Sequence, residues 1–224
     1  MPRSVNTSQQ SWFRYWPQAL ALLLLLYFTW RMILLSLPYL ALEDRVAFLR
    51  IKQSVIHLQW WKGAFYVHVF TSVFLLLAGF TQFNSRVIQQ YPSVHRWIGR
   101  SYVVIILFLS GPAGLILAIK ANGGWLSQLA FTSLAILWWW FTWKAWRTVL
   151  QGKIEQHRAF MWRSFALTLS AITLRCWKWL IVFLWAPPPM DTYRVVAWLG
   201  WVPNLLLVEW LLRRKKTDLS EEFS

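Results

Sequence analysis

The sequence predicts an all-α fold: a polytopic membrane helix bundle of about six transmembrane helices, with a four-helix core made by helices two to five. Three observations lead there. Of the 224 residues, 58% are hydrophobic and only 14% charged, a balance that ordinary soluble domains rarely reach. The apolar residues fall into runs near the roughly 20 residues that cross a bilayer as helix. Lys and Arg, which bring the net charge to +15, collect between those runs rather than along one amphipathic face, so membrane topology explains the charge and nucleic acid does not.

The runs cover residues 17–40, 63–83, 97–119, 126–146, 164–185 and 195–212. The first is longer than a signal-peptide core and lacks a small-residue cleavage site, so it is expected to be retained, with Arg31 snorkelling outward. Residues 41–62 make the one sizeable external connection, holding Glu43, Asp44, Arg45, Arg50, Lys52 and His57, and are expected to form a short interfacial helix. Gly111-Pro112 should kink the third helix, because proline removes a backbone donor. Pro187-Pro188-Pro189 ends the fifth. Glu209, the one carboxylate within a span, is expected to pair with Arg213 at helical spacing. The chain then divides into 1–62 (first helix and external loop), 63–187 (four-helix core) and 188–224 (last helix and basic tail).

Loop charges orient the bundle. With the N-terminus inside, the inner segments hold Arg3, Arg14, Arg86, Arg96, Arg100, Lys144, Arg147, Lys153, Arg158, Arg163, Arg213, Arg214, Lys215 and Lys216, fourteen of the 23 basic residues. The positive-inside rule therefore favours both termini on the cytoplasmic side. Many of the 19 tryptophans stand beside charges at run ends, as Trp60 and Trp61 before Lys62, Trp146 before Arg147, and Trp177 and Trp179 around Lys178; they read as anchors at headgroup level. Trp138-Trp139-Trp140, inside the fourth run, reads as facing lipid. Cys176 is the lone cysteine, which leaves no disulfide and no dithiol chemistry, and it reads as an inert buried thiol.

A weak internal repeat relates Arg86, His95-Arg96 and Arg100-Ser101-Tyr102 to Arg147, His157-Arg158 and Arg163-Ser164-Phe165. Either two helix-loop-helix units share one orientation about an axis along the membrane normal, or two basic loops resemble each other by chance.

At helical spacing, His68, Ser72, Leu75, Gly79, Gln82 and Arg86 share one face of helix two. His95, Gly99, Tyr102, Ile106 and Ser110 share a face of helix three; His157, Met161, Ser164, Thr168, Ala171 and Arg175 share one of helix five. Polar groups are costly in hydrocarbon unless they face the bundle interior, so these stripes should point inward. Neutral imidazole ligates heme iron or transition metals, and His95 and His157 fall on the same side, near helix starts whose dipoles favour the neutral form. They are candidate metal ligands, with Arg96, Arg100, Arg158 and Arg163 able to hold heme propionates; plain interfacial histidines remain the alternative. His68 reads as a hydrogen-bonded interior histidine, an axial ligand, or a contact to a quinone or other small ligand. No P-loop, zinc-protease motif, nucleophile elbow or paired-cysteine motif is present, and no catalytic residue is singled out.

The series His68, GFTQF from Gly79, Arg86, HRWIGRSY from His95, SGPAG from Ser110, HRAFMWRS from His157 and ALTLSAITLR ending at Arg175 resembles the bacterial predicted membrane proteins grouped as domain of unknown function 2306. The resemblance covers residues 67–181, helices two to five, and implies a multi-pass protein of the bacterial inner membrane. A weaker likeness is to the ferric-reductase and ascorbate-reducible membrane cytochromes b, which hold heme through histidine pairs on alternate core helices. His95 and His157 match one such pair, whereas His68 has no partner to complete a second.

Two functional readings follow. The first is a membrane electron-transfer protein with one heme b between His95 and His157, and with His68 at a second ligand or electron-donor site. The second is a non-enzymatic protein that binds or moves a small ligand, lipid or quinone, where His68, Gln82 and Arg175 matter more; an accessory subunit is a third. The expected partners are the lipid bilayer and a redox partner or small-molecule ligand, not nucleic acid.

Overall fold

The computed structural model describes residues 7–222, and the side chains from Trp16 to Lys215 except those of residues 17, 18, 21 and 85. Arg3 and the side chains of Arg14 and Lys216, counted above toward orientation, lie outside that description. The fold is 86% helix. Its helices are α1 (Thr7–Ser36), α2 (Gln59–Gln82), α3 (Ser85–Gln90), α4 (Pro92–Ile105), α5 (Gly111–Ile119), α6 (Trp125–Leu150), α7 (Ile154–Thr168), α8 (Ser170–Trp185), α9 (Pro189–Leu199) and α10 (Val202–Glu222).

By length and apolarity, four segments among the described residues can cross a membrane: Leu22–Ala41, Gln59–Gln82, Pro92–Ile119 and Pro189–Lys215. Helices α7 and α8, bent by 40° at their junction, make a fifth if taken as one span. The expected six exceeds this count by α6. That helix has 26 residues and runs from one end of the bundle to the other, but its second half carries Trp138, Trp139, Trp140, Trp143, Lys144, Trp146 and Arg147. These dilute the apolarity that marks a span.

The expected proline kink takes a specific form. Ile106–Ser110 is a π-helical turn between α4 and α5, in which the Gly111 N–H bonds back to the Ile106 carbonyl. In that register the donor for Leu107 would be residue 112, a proline without an N–H. The orphaned Leu107 carbonyl instead accepts the indole N–H of Trp139, at 3.0 Å. A similar repair closes the α7–α8 break. There the Asn204 amide of α10 donates to the Ala166 carbonyl (3.1 Å) and to the Thr173 hydroxyl (3.0 Å). Backbone left unpaired in hydrocarbon costs several kcal/mol per group, a penalty that these side-chain donors avoid.

One end of the bundle is closed by residues 37–58, which form two 3₁₀ turns, Leu37–Ala41 and Ala47–Lys52, in place of the expected interfacial helix. Leu49 and Ile56 are buried with Tyr39, Trp61 and Phe65. Trp61 is therefore a core residue at 1% exposure, not a headgroup anchor, while Trp60 is exposed. Lys62 pairs with Asp44 at 2.5 Å. Lys52, 4% exposed, donates to the carbonyl of Lys120 at the end of α5 and lies over Phe48 and Trp61 at 5.7 and 5.9 Å. At this same end Arg194 of α9 donates to the Gly123 carbonyl before α6 (2.9 Å), and Ala186, with φ of 42°, turns the chain out of α8 into the proline run.

Burial pushes the Lys52 ammonium down to about 8 from an ordinary 10.5. Between those values the unfolded chain binds more protons than the folded one, so stability rises with pH in that window and is level below it. Melting curves in detergent should show this rise above pH 8, and Lys52→Met should remove it; a slope unchanged by the substitution would contradict the buried ammonium.

Candidate functional site

The polar stripes do point inward. Ser110 and Ser164 are fully buried, Tyr102 is 1% exposed, and Gln82, Thr168 and Met161 lie below 10%; Arg86 and Arg175, which end two of the stripes, are exposed. In the bundle centre the Tyr102 hydroxyl of α4 is 2.7 Å from that of Thr168 and 3.1 Å from that of Ser164, both on α7. Thr142 of α6 reaches Ser164 at 2.7 Å, and the Trp138 indole donates to Thr168 at 3.0 Å. Trp138 is thus an interior residue, 7% exposed, rather than part of a lipid-facing cluster. The chain of hydroxyls ends on an indole that can only donate, and it joins three helices.

The motif residues meet one another. A Cβ on Gly79 would stand 2.1 Å from the Phe165 ring, one on Gly99 would stand 2.8 Å from the Gln82 side-chain oxygen, and one on Gly114 would stand 3.2 Å from His68. Gln82 donates to the His95 carbonyl at 3.2 Å. GFTQF thus packs on HRWIGRSY and on Phe165, while SGPAG receives His68. Gly79→Ala should cost about 1–3 kcal/mol, the range for overpacking a close-packed core, and Phe165→Leu should relieve most of it in the double variant. Thermal unfolding in mild detergent reads both; additive losses would contradict the contact.

His95 and His157 occupy equivalent places. Each is the fourth residue past its helix cap, with the His95 N–H bonded to the Tyr91 carbonyl (3.1 Å) and the His157 N–H to that of Lys153 (2.9 Å). The two imidazoles lie within electrostatic range of each other. The His157 Nδ1–H donates to the Ala145 carbonyl at 2.8 Å, whereas Nδ1 of His95 is buried without a partner.

The surrounding groups do not fit a heme between them. Arg163 is committed to Glu209, its Nε and Nη2 donating at 2.5 and 2.9 Å to the two carboxylate oxygens. Arg158 is paired with Glu155 at 2.9 Å, and Arg96 and Arg100 are exposed, Arg96 reaching only Ser93. One turn inward from His95 the space beside Gly99 is filled by Gln82, and next to it Phe83 packs at a tilt against Trp162 and Phe165 with centroids 4.4 and 4.8 Å away. Glu209 therefore takes Arg163 across α7 and α10 as its main partner, with Arg213 also within electrostatic range. Among the described residues no group of three or more His, Cys, Asp or Glu is placed to hold a metal.

His68 sits toward the other end. Its Nδ1–H donates to the Ser110 carbonyl at 3.0 Å, with the Ser110 hydroxyl at 3.4 Å and Ser72 behind it. That bond fixes the tautomer and leaves Nε2 as an acceptor. Trp138 meets the ring edge-on, 6.5 Å between centroids. Arg175 of α8 is within electrostatic range of His68 and of the hydroxyls of Tyr39 and Tyr193. Its guanidinium donates to the Ala171 carbonyl at 2.5 Å, and among the described residues no carboxylate lies at ion-pair distance from it. Arg175 opens on a groove along α8 lined by Lys178, Trp179, Val182 and Phe183. No local spacing connects Tyr39 and Tyr193 to Arg175 or His68, so the sequence alone does not bring them to this face. Cys176, next to this face, is half-buried.

These features define a class: a multi-pass helical membrane protein whose polar interior binds helix to helix. Residues 65–212 match the family model described as predicted membrane protein DUF2306, and the chain belongs to that family. The match runs beyond residues 67–181 into the last span. No curated protein and no solved structure matches, so the likeness to membrane cytochromes b gains no support.

Proposed function

We propose that the protein binds a membrane-dissolved small molecule of the quinone class at Arg175 and His68. The observation that carries this is the Arg175 guanidinium, set on an apolar helix with no carboxylate at ion-pair distance among the described residues. A charge so placed is expensive and marks a functional site by default. Arg175 offers N–H donors to a carbonyl or phenolate oxygen, and Nε2 of His68 accepts from a ring hydroxyl. Together they suit a head that presents both, as a quinol does, against the aromatic wall of Trp179 and Phe183, whose rings stack at 5.4 Å.

Depth favours a quinone over a phospholipid. Arg175 lies ten residues before Trp185, the end of α8, or about 15 Å along the helix. A phosphate headgroup drawn that far in would leave its acyl chains pointing at the aqueous surface. Quinone rings reside in hydrocarbon already. The loop charges further support placing both termini in the cytoplasm of a bacterial inner membrane, with the Lys52 end outside. Electron transfer through a heme is not part of this reading, because two of its four expected propionate arginines are spoken for by Glu155 and Glu209.

Protein purified in an uncharged detergent should bind decyl-ubiquinol and decyl-ubiquinone, read as quenching of its tryptophan fluorescence and as a raised melting temperature. Arg175→Gln should weaken binding of both at least tenfold, about 1.4 kcal/mol, and His68→Ala should weaken the quinol more than the quinone. Equal binding by wild type and Arg175→Gln would overturn the proposal.

A further inference from the structure

We propose that the outward face of α6 holds the headgroup of an anionic phospholipid, of the phosphatidylglycerol class, among Lys144, Arg147 and the rings of Trp140 and Trp143. The site is independent of the groove at Arg175 and does not rest on the quinone reading. In this half of α6 the buried residues are Trp138, Thr142, Ala145 and Thr148. At about 3.6 residues per turn, Trp140, Trp143, Lys144 and Arg147 fall together on the opposite face. Trp140 and Arg147 are exposed there, and Trp143 and Lys144 are half-buried. Further along the helix the same face continues as Ile136 and Leu129, both exposed. It is basic and aromatic at one end and apolar along the rest, which is the profile of a lipid lying against it.

The two cations are gathered rather than spread. The Lys144 ammonium lies 4.9 Å from the centre of the Trp140 ring and 5.5 Å from that of Trp143, and the Arg147 guanidinium lies 5.9 Å from the same Trp143 ring. Trp140 and Trp143 are 5.3 Å apart. Two positive charges drawn to one ring repel each other, and an anion beside them offsets that repulsion. No side chain supplies it: among the described residues neither cation forms an ion pair, and Glu155 and Glu209 of the adjoining α7 and α10 are taken by Arg158, Lys215 and Arg163. A lipid phosphate supplies the charge, and the indole N–H groups of Trp140 and Trp143, which make no hydrogen bond among the described residues, can donate to its oxygens. Lys144 stands six residues before Leu150, the end of α6, or about 9 Å along the helix, which suits a headgroup at one end of a span. A zwitterionic headgroup brings a cation that the pair repels; phosphatidylglycerol brings none. Each basic residue near an anionic membrane surface is worth about fivefold in attachment. Arg86 and Arg96 belong to the same basic end but, among the described residues, lie over no aromatic ring.

The test is native mass spectrometry of the full chain in an uncharged detergent, titrated with phosphatidylglycerol or phosphatidylcholine of the same acyl chains. Wild type should retain one phosphatidylglycerol with a preference of about tenfold or more over phosphatidylcholine. Lys144→Gln combined with Arg147→Gln should bring the two lipids to parity. Arg86→Gln combined with Arg96→Gln removes the same charge elsewhere and should leave the preference within about twofold of wild type. Melting temperatures without added lipid identify a variant that fails to fold, and the single Lys144→Gln variant then reads the loss, expected at about fivefold. Equal retention of both lipids by wild type, or a preference that survives the loss of Lys144 and Arg147, would overturn the proposal. An equal loss in the Arg86 and Arg96 variant would mean diffuse attraction of charge, and displacement of the lipid by millimolar inorganic phosphate would mean a soluble anion; either would overturn it too.

Discussion

Hydrocarbon offers no hydrogen bonds, and this chain bends its helices in the places where hydrogen bonds are hardest to replace. Everything else in the bundle is arranged around that constraint. The π turn at Ile106–Ser110 frees the Leu107 carbonyl, and Trp139 from α6 takes it up. The α7–α8 break frees that of Ala166, and Asn204 from α10 takes it up. Each break is thus a bond between helices as well as a bend within one. Between the two lies the hydroxyl cluster of Tyr102, Ser164, Thr168 and Thr142, with every member satisfied. Interhelical bonds of this kind contribute about 0.6 kcal/mol each in membranes, so no single one holds the bundle, while together they fix its register.

That arrangement changes the meaning of the family motifs. Glycines of GFTQF, HRWIGRSY and SGPAG clear space for Phe165, Gln82 and His68, and the tyrosine and serine of the two R-S-aromatic stretches bond to each other. The motifs are chiefly a packing code. Groups that packing does not use stand out against it: the accepting nitrogen of His68, the exposed Arg175, and the unpartnered Nδ1 of His95. The ligand site is inferred where the interior leaves chemistry uncommitted.

Much of the inward face was legible, because a 3.6-residue period places His68, Gln82, Tyr102, Ser164 and Thr168 on their stripes with no knowledge of the fold. Gly111-Pro112 gave away the bend. Other features depend on partners far apart in the chain. Arg163 could not be assigned to Glu209 from spacing, nor Trp139 and Asn204 to carbonyls whose release follows from a particular break. Tryptophan misled in both directions: its abundance beside charges marks interfaces, yet Trp61 and Trp138 are interior, where their rings fill volume that no smaller residue could. The count of spans suffered for the same reason, since the residues that enrich α6 in aromatic contacts also lower its apolarity.

The central claim is that interlocked polar contacts among motif residues hold α4, α6 and α7 together. A double-mutant cycle on Tyr102→Phe and Ser164→Ala, read by reversible unfolding in bicelles, tests it most directly. The account predicts a coupling of about 0.5–1.5 kcal/mol, present in protein purified without pigment. A coupling indistinguishable from zero, or stability that depends on an added heme, would contradict it.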